Sequence, residues 1–278
     1  MDKSIRLLLI VSLAVATPAT ADDWLLDATA GLVAYDNLGR ARYVADHRSA
    51  TAFELDAAGH VQPAWQTPGA VTFDVWAGLE RFDRFDAFNQ LRAGIGAGYF
   101  DKFGLGPEAP WWSVSLRAGY HDYDSALRDG PAWQVSAALG RAFGERLDLA
   151  ARATHRSQRG RSSVFDTDAA QIGVDVDYRP PAPFAVFAGL HWLRGEINSS
   201  IMQPGNVGPN WVDDPAFGPG WRSYRVDADV TTLTFGATFA LGATTQLIAG
   251  WERRDGRARN FDAPYDGDLI KVHVAHEF

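Results

Sequence analysis

The sequence predicts an all-β protein, a single closed antiparallel transmembrane β-barrel of about twelve strands. Three observations predict it. Apolar and polar residues alternate with a period of two, the alternating runs last about ten residues, and aromatic residues stand at their ends. A run of about ten residues suits a tilted strand that crosses the hydrocarbon layer. Aromatic residues belong at the two interfaces of such a barrel.

The last run shows the alternation well. Ile270, Val272 and Val274 form one face, while Lys271 and His273 lie on the other. The same pattern recurs at 71–80, 112–120, 147–153 and 170–178. A soluble sandwich could also bury the apolar face, but the run length and the terminal aromatics favour the membrane barrel.

We expect twelve strands, and ten remain an alternative because 57–69 and 101–110 are long for periplasmic turns. The expected strands lie near 24–35, 43–56, 70–81, 88–100, 111–121, 133–143, 147–156, 168–179, 184–194, 224–241, 245–254 and 268–278. Short connections at 144–146, 179–183 and 242–244 alternate with longer ones, which places both termini on the periplasmic side. The stretch 203–221 is predicted to be a long outer loop that could fold inward.

Residues 1–21 are predicted to be a signal peptide and 22–278 the barrel. The first six residues carry two positive charges, 7–15 are apolar apart from Ser12, and Ala-Thr-Ala at 19–21 suits a cleavage site. A non-cleaved anchor is the alternative. The chain has no cysteine, which excludes a disulfide scaffold. Its net charge of −8 argues against a nucleic-acid partner.

With the export signal, the alternating strands and the terminal Phe278 in place, the chain resembles the outer-membrane β-barrel proteins of Gram-negative bacteria, in particular porin-like ones. The resemblance implies a location in the outer membrane among lipids and lipopolysaccharide. It also implies that the barrel-assembly machinery reads Ile270, Val272, Val274 and Phe278 as an assembly signal. Twelve-stranded oligosaccharide porins are one comparison by size, and no motif matches them residue by residue.

The polar faces predict a charged lumen. The expected lining residues are Arg48, Glu54, Asp74, Glu80, Arg92, Arg117, Asp148, Arg152, Asp175, Glu252, Lys271 and His273. Opposed charges across a narrow pore would select small polar or anionic solutes. The alternative is that these residues pair with one another and fill a closed lumen, because an unpaired buried charge is costly.

Passive passage of small polar solutes is the leading functional hypothesis. A closed structural or surface-interaction barrel is the alternative, and a lipase or protease barrel the second. His155 and Ser157 could share a strand face, but no G-x-S-x-G frame is present, so we expect no enzyme. No cofactor or metal is expected, because the acidic pairs, such as Asp213-Asp214, lack calcium-loop spacing and suit solvated loops. Basic stretches at 155–161 and 253–259 could meet lipopolysaccharide phosphates or simply be solvated.

Overall fold

The computed structural model describes residues 24–63, 69–202, 210–259 and 264–278, and thirteen strands lie in these ranges. They are β1 Trp24–Tyr35, β2 Ala50–Val61, β3 Ala70–Phe82, β4 Gln90–Lys102, β5 Trp111–Tyr123, β6 Gly130–Phe143, β7 Leu147–Gln158, β8 Thr167–Tyr178, β9 Phe184–Ile201, β10 Trp211–Asp213, β11 Arg222–Ala240, β12 Thr245–Ala258 and β13 Pro264–Glu277. The predicted signal peptide at 1–21 lies outside the described residues.

Twelve of these strands close into one antiparallel barrel. β9 pairs directly with β11, and β13 returns to pair with β1, where Asp27 lies opposite Glu277. The short β10 pairs only with the start of β11. Closure leaves no barrel strand with an unpaired edge. The twelve-strand prediction is therefore confirmed, and the ten-strand alternative is wrong.

The outer surface of the barrel is apolar. Large apolar side chains from all around the ring are exposed there, including Leu32, Phe53, Val75, Ile95, Leu116, Leu139, Ile172, Leu190, Phe235 and Ile270. A soluble protein would bury such residues, whereas a membrane barrel presents them to lipid. No helix within the described ranges is long and apolar enough to cross a membrane.

The two ends of the barrel differ. At one end, here called the turn mouth, lie the described connecting residues 62–63, 69, 103–110, 144–146, 179–183 and 241–244, together with the start of β1 and the end of β13. At the other end, the loop mouth, lie the described connecting residues 36–49, 83–89, 124–129, 159–166, 202, 210–221 and 259. The five short 3-10 turns of the described chain all lie at the loop mouth.

The predicted bounds of β2 were wrong. The strand was expected at 43–56 but runs from Ala50 to Val61, and Val44–Asp46 forms a 3-10 turn in the preceding loop. The apolar alternation of β2 fades after Leu55, because its outward positions then hold small residues such as Ala57 and Gly59. Pairing with β1 extends the strand regardless, and Val61 lies opposite Trp24.

The strands β9 and β11 reach further past the loop mouth than expected. β9 was expected to end near Arg194, but it continues through Gly195 to Ile201. Gly195 has a φ of +149°, which other residues rarely adopt. The added residues of β9 include Ile197, which is buried on the inner face beside Val226 of β11. A glycine in a strand pattern usually marks an irregularity, and here it does not end the strand.

Loops fold over the loop mouth and form what we call the cap, residues 36–49, 83–89, 124–129, 159–166 and 214–221. Phe217 lies at its centre. Its ring centroid is 4.9 Å from those of Phe88 and Trp221, and 5.0 Å from that of Phe85. The described part of the predicted inward-folding loop thus packs as a small aromatic core over the barrel end.

Candidate functional site

A cavity of about 770 Å³ lies inside the barrel. It extends from Asp27 and His60, near the turn mouth, to Leu38, Phe88 and other cap residues. Its wall is formed by the inward faces of the strands, and these carry charges of both signs. The site of interest is therefore the charged lumen together with the cap above it.

The charges of one wall segment, β2 to β5, occur in pairs across neighbouring strands. Arg92 donates hydrogen bonds from Nη2 to both carboxylate oxygens of Asp56, at 2.7 and 2.9 Å. Arg117 Nε lies 3.1 Å from Oδ2 of Asp74. Glu80 accepts hydrogen bonds from Tyr35 Oη, at 2.9 Å, and from Gln90 Nε2. The pairs explain how a β-sheet can carry buried charge.

Glu252 links two cations on the adjoining part of the wall, β12 and β13, which continues through β1 to β2. Its carboxylate accepts hydrogen bonds from Arg254 Nε at 2.5 Å and Lys271 Nζ at 2.9 Å. Beside it, His273 Nε2 lies 3.2 Å from Oε2 of Glu54. Opposite charges within β12 and across to β13 therefore stabilise this part of the wall.

A third group of charges lies on β7 to β9. Asp175 accepts a hydrogen bond from Arg152 Nε at 2.7 Å, and its other oxygen lies 2.9 Å from His191 Nε2. Asp148 lies 3.1 Å from Arg179, at the turn mouth. The side chains of Arg152 and Arg179 are 53% and 62% exposed, so both of these ion pairs are accessible to solvent.

The structure places eleven of the twelve predicted lining residues in strands, on the face opposite the exposed apolar side chains. The placement of Arg48 in a strand was wrong. Arg48 lies in the loop before β2, with its guanidinium 4.6 Å from the ring centroid of Trp221, and donates to the carbonyls of Ala45 and His47. Contact of any of the twelve with a solute stays a prediction.

Sequence reasoning missed several partners of these residues. Asp56, Arg254 and His191 all pair with predicted lining residues. The signal was available for Asp56, since it follows Glu54 by two positions and so shares its strand face. Arg254 and His191 also lie within the predicted strands 245–254 and 184–194, but alternation does not show which residue of another position each will meet.

A buried ion pair holds the inward loop of the cap. Arg128 and Asp214 pair through their side chains, which are only 7% and 1% exposed. Asp214 also accepts hydrogen bonds from Ser223 Oγ and, at 3.2 Å, from the backbone N–H of Ala216. Asp214 was expected to be a solvated loop acid, and that expectation was wrong because the loop folds inward. We call this pair the cap latch.

Aromatic rings enclose the cationic partner of the cap latch. The Arg128 guanidinium carbon lies 4.5 Å from the ring centroid of Phe88 and 4.3 Å from that of Phe165. Cation–π contacts of this kind strengthen when water is excluded. The latch and its enclosing rings therefore tie four different loops of the cap together.

The predicted His155 and Ser157 pair lies on the outer side of β7. His155 Nε2 lies 3.5 Å from Oδ2 of Asp168, and its ring centroid is 5.0 Å from that of Trp133. Ser157 is only 4% exposed. Within the described ranges no hydrogen bond joins His155 to Ser157, so the geometry does not activate a serine nucleophile.

The two basic stretches lie at the loop mouth with acidic partners. Arg159 pairs with Asp166 at 3.8 Å, and Arg161 with Asp129 at 3.4 Å. Arg253 pairs with Asp268 at 3.2 Å and Arg259 with Asp227 at 2.9 Å. Binding of lipopolysaccharide by these stretches stays a prediction.

The final strand presents its apolar face outward. Ile270, Val272 and Val274 are exposed on the barrel surface, and Phe278 is 70% exposed beside the turn mouth. His276, which interrupts the apolar face, lies 2.8 Å through Nδ1 from Thr245 Oγ1 and packs edge-on against Phe278. Recognition of these residues by the assembly machinery stays a prediction.

The closed twelve-strand barrel with an apolar outer surface has the architecture of outer-membrane β-barrel proteins. No family model and no curated protein matches the sequence. An outer-membrane channel from Pseudomonas putida F1 superposes with a TM-score of 0.64 at 10% identity, covering 94% of this chain and 97% of that one.

Two porins superpose less well. The NanC porin covers 90% of this chain and 98% of its own, at 11% identity and a TM-score of 0.46. The KdgM porin covers 91% and 99%, at 9% identity and a TM-score of 0.41. At 10% identity the comparison with the Pseudomonas putida channel shows the fold alone, and no residue role is carried over from any of these proteins.

Proposed function

We propose that this chain resides in the outer membrane and lets small polar solutes pass passively through its lumen. The observation that carries the proposal is the cavity of about 770 Å³, whose wall holds charges of both signs. Charged walls in a narrow passage favour polar over apolar solutes. A structurally similar protein, the channel from Pseudomonas putida F1, is consistent with this.

The cap favours small solutes. Phe217 and Trp221 pack over the loop mouth and are 9% and 3% exposed. A solute entering from this side must pass between the cap and the barrel wall. The same packing favours one rival function, a closed barrel with a structural or surface-interaction role.

Location and passage can be tested on the same preparation. We expect the protein in outer-membrane fractions as a band whose electrophoretic mobility changes on heating, as closed barrels resist unfolding by detergent. Recovery only from the soluble periplasmic fraction would refute the membrane location.

For passage, the refolded full chain is placed in planar lipid bilayers and single-channel currents are recorded. We expect reproducible conductance steps from the wild type. A preparation that is folded and heat-modifiable but gives no steps would refute the pore and favour the closed barrel.

We further propose that the protein is not an enzyme. A lipase or protease activity of the wild type that is lost in His155→Ala would contradict this proposal.

A further inference from the structure

Six arginines line the cavity, namely Arg40, Arg92, Arg117, Arg128, Arg156 and Arg254. Four of them pair with carboxylates: Arg92 with Asp56, Arg117 with Asp74, Arg128 with Asp214 and Arg254 with Glu252. Among the described residues, Arg40 and Arg156 have no carboxylate partner. Both lie at the cap end of the cavity, which makes that end locally positive.

Arg40 is held in place by its own loop. Asn37 accepts a hydrogen bond from the backbone N–H of Ala41 at 2.8 Å and donates to the carbonyls of Ala41 and Asp266. Ser199 Oγ donates to the Arg40 carbonyl at 2.7 Å. These contacts fix Arg40 in the left-handed region, with a φ of +50°. A residue other than glycine is uncommon there, and such strain often accompanies a functional position.

The Arg40 side chain has little to neutralise it. Its Nη1 donates a long hydrogen bond of 3.4 Å to the carbonyl of Asn198. Burial lowers the pKa of the Arg40 guanidinium, because the charged form loses its hydration. The guanidinium nevertheless stays protonated in proteins, so the positive charge remains.

Arg156 faces the same space from the wall. It lies near the end of β7, and its side chain is repelled by the charges of Arg40 and Arg254. Across the described residues its side chain makes no hydrogen bond or ion pair. The Tyr265 side chain also interacts with it electrostatically.

Two neighbouring cations without counter-charges are unfavourable in a confined space, because each loses hydration and repels the other. Guanidinium groups bind carboxylate and phosphate oxygens through paired, charge-assisted hydrogen bonds. We propose that Arg40 and Arg156 form a binding site for the oxyanion group of a small solute, a carboxylate or a phosphate. The inference rests on the proposed function in that the bound group belongs to a solute that enters the lumen.

The strongest test compares the melting temperatures of two variants, which should change in opposite directions. In low-salt buffer and a non-ionic detergent, Arg156→Gln removes repulsion and should melt at a higher temperature than the wild type. Arg152→Gln is the matched control, since it lies on the same face of β7 and breaks the pair with Asp175. It should melt at a lower temperature. Destabilisation by both substitutions would overturn the site.

Binding itself is measured by titrating refolded protein with inorganic phosphate and, separately, with acetate. We expect at least one probe to bind and to raise the wild-type melting temperature. Loss of one charge-assisted contact should weaken binding about tenfold in Arg156→Gln and in Arg40→Asn. Asparagine is chosen at position 40 because it tolerates the left-handed backbone.

Arg152→Gln should bind the same probe within about twofold of wild type, since a tenfold loss is expected only where a contact is removed. If neither probe binds the wild type, or if the Arg152 and Arg156 variants weaken binding equally, the site is refuted. Titration in micelles needs no conduction. Anion binding without conductance steps would therefore refute the pore alone, and steps without binding would refute the site alone.

Discussion

The cap and the lumen wall both contain arginine–carboxylate pairs, but the pairs differ in their exposure to solvent. In the cap, the side chains of Arg128 and Asp214 are 7% and 1% exposed and lie among aromatic rings. In the wall, those of Arg152 and Asp175 are 53% and 26% exposed and face the cavity. The cap is built like the core of a soluble protein, whereas the arginines of the wall remain partly solvated.

This difference shows how the two regions are stabilised. The wall owes its position to the continuous hydrogen bonding between neighbouring strands, so a single lost ion pair should leave the barrel intact. The cap consists of loops, and its position depends on the cap latch and on the packing of Phe217. Substitutions in the cap should therefore change passage, whereas substitutions in the wall should change stability modestly.

The largest effect is expected from Asp214→Asn. Loss of the carboxylate charge leaves Arg128 buried without a counter-charge, which costs about 3–5 kcal/mol. We expect the cap segment 214–221 to leave the mouth and to become sensitive to protease, and the single-channel conductance to rise. Heat-modifiability should persist because the strands are unaffected.

Asp213→Asn is the control for this prediction. Asp213 is adjacent in sequence, and its side chain is 79% exposed in a pair with Arg222 at 3.0 Å. Surface pairs contribute little, so conductance and protease sensitivity should stay near wild type. Equal behaviour of the two variants would mean that the latch does not hold the cap.

The barrel could be predicted from the sequence because its physical cause is local. A strand with lipid on one side and a polar lumen on the other must alternate, so β7, β8 and β13 were predicted within a few residues of their bounds. The predicted strand bounds were wrong where pairing with a distant strand, and not the local alternation, determines where a strand ends. β2 lacks a strong apolar pattern in its second half, and pairing with β1 alone defines it there.

The site was only partly predictable for a related reason. Alternation assigns Glu54, Arg117 and Glu252 to one face, but it does not say which residue on another strand each will meet. Asp214 shows the limit, because its partner Arg128 lies 86 positions away and both come from loops without any periodicity. The position of Arg40 likewise depends on a loop without periodicity, the cap segment 36–49.

A middle-sized effect is expected in the wall from Arg117→Gln. Its partner Asp74 has a side chain that is only 10% exposed and would be left without a cation, at a cost of roughly 1–3 kcal/mol. We expect the free energy of unfolding in urea to fall by that amount while the cap stays closed to protease. Arg152→Gln should cost less, because Asp175 keeps His191. A larger loss of unfolding free energy in Arg152→Gln would show that exposure to the cavity does not reduce the contribution of a wall ion pair to stability.

The smallest effect is expected from Arg179→Gln at the turn mouth. The side chains of Arg179 and Asp148 are 62% and 32% exposed, so the pair at 3.1 Å should contribute at most about 1 kcal/mol. The backbone N–H of Arg179 still donates to the carbonyl of Arg146 at 2.7 Å, so the turn itself keeps its geometry. Urea unfolding at low salt and at about 1 M salt should show a small loss that disappears when salt screens the charges. A loss of stability that persists at high salt would indicate that Arg179 stabilises the barrel end through packing as well as through its charge.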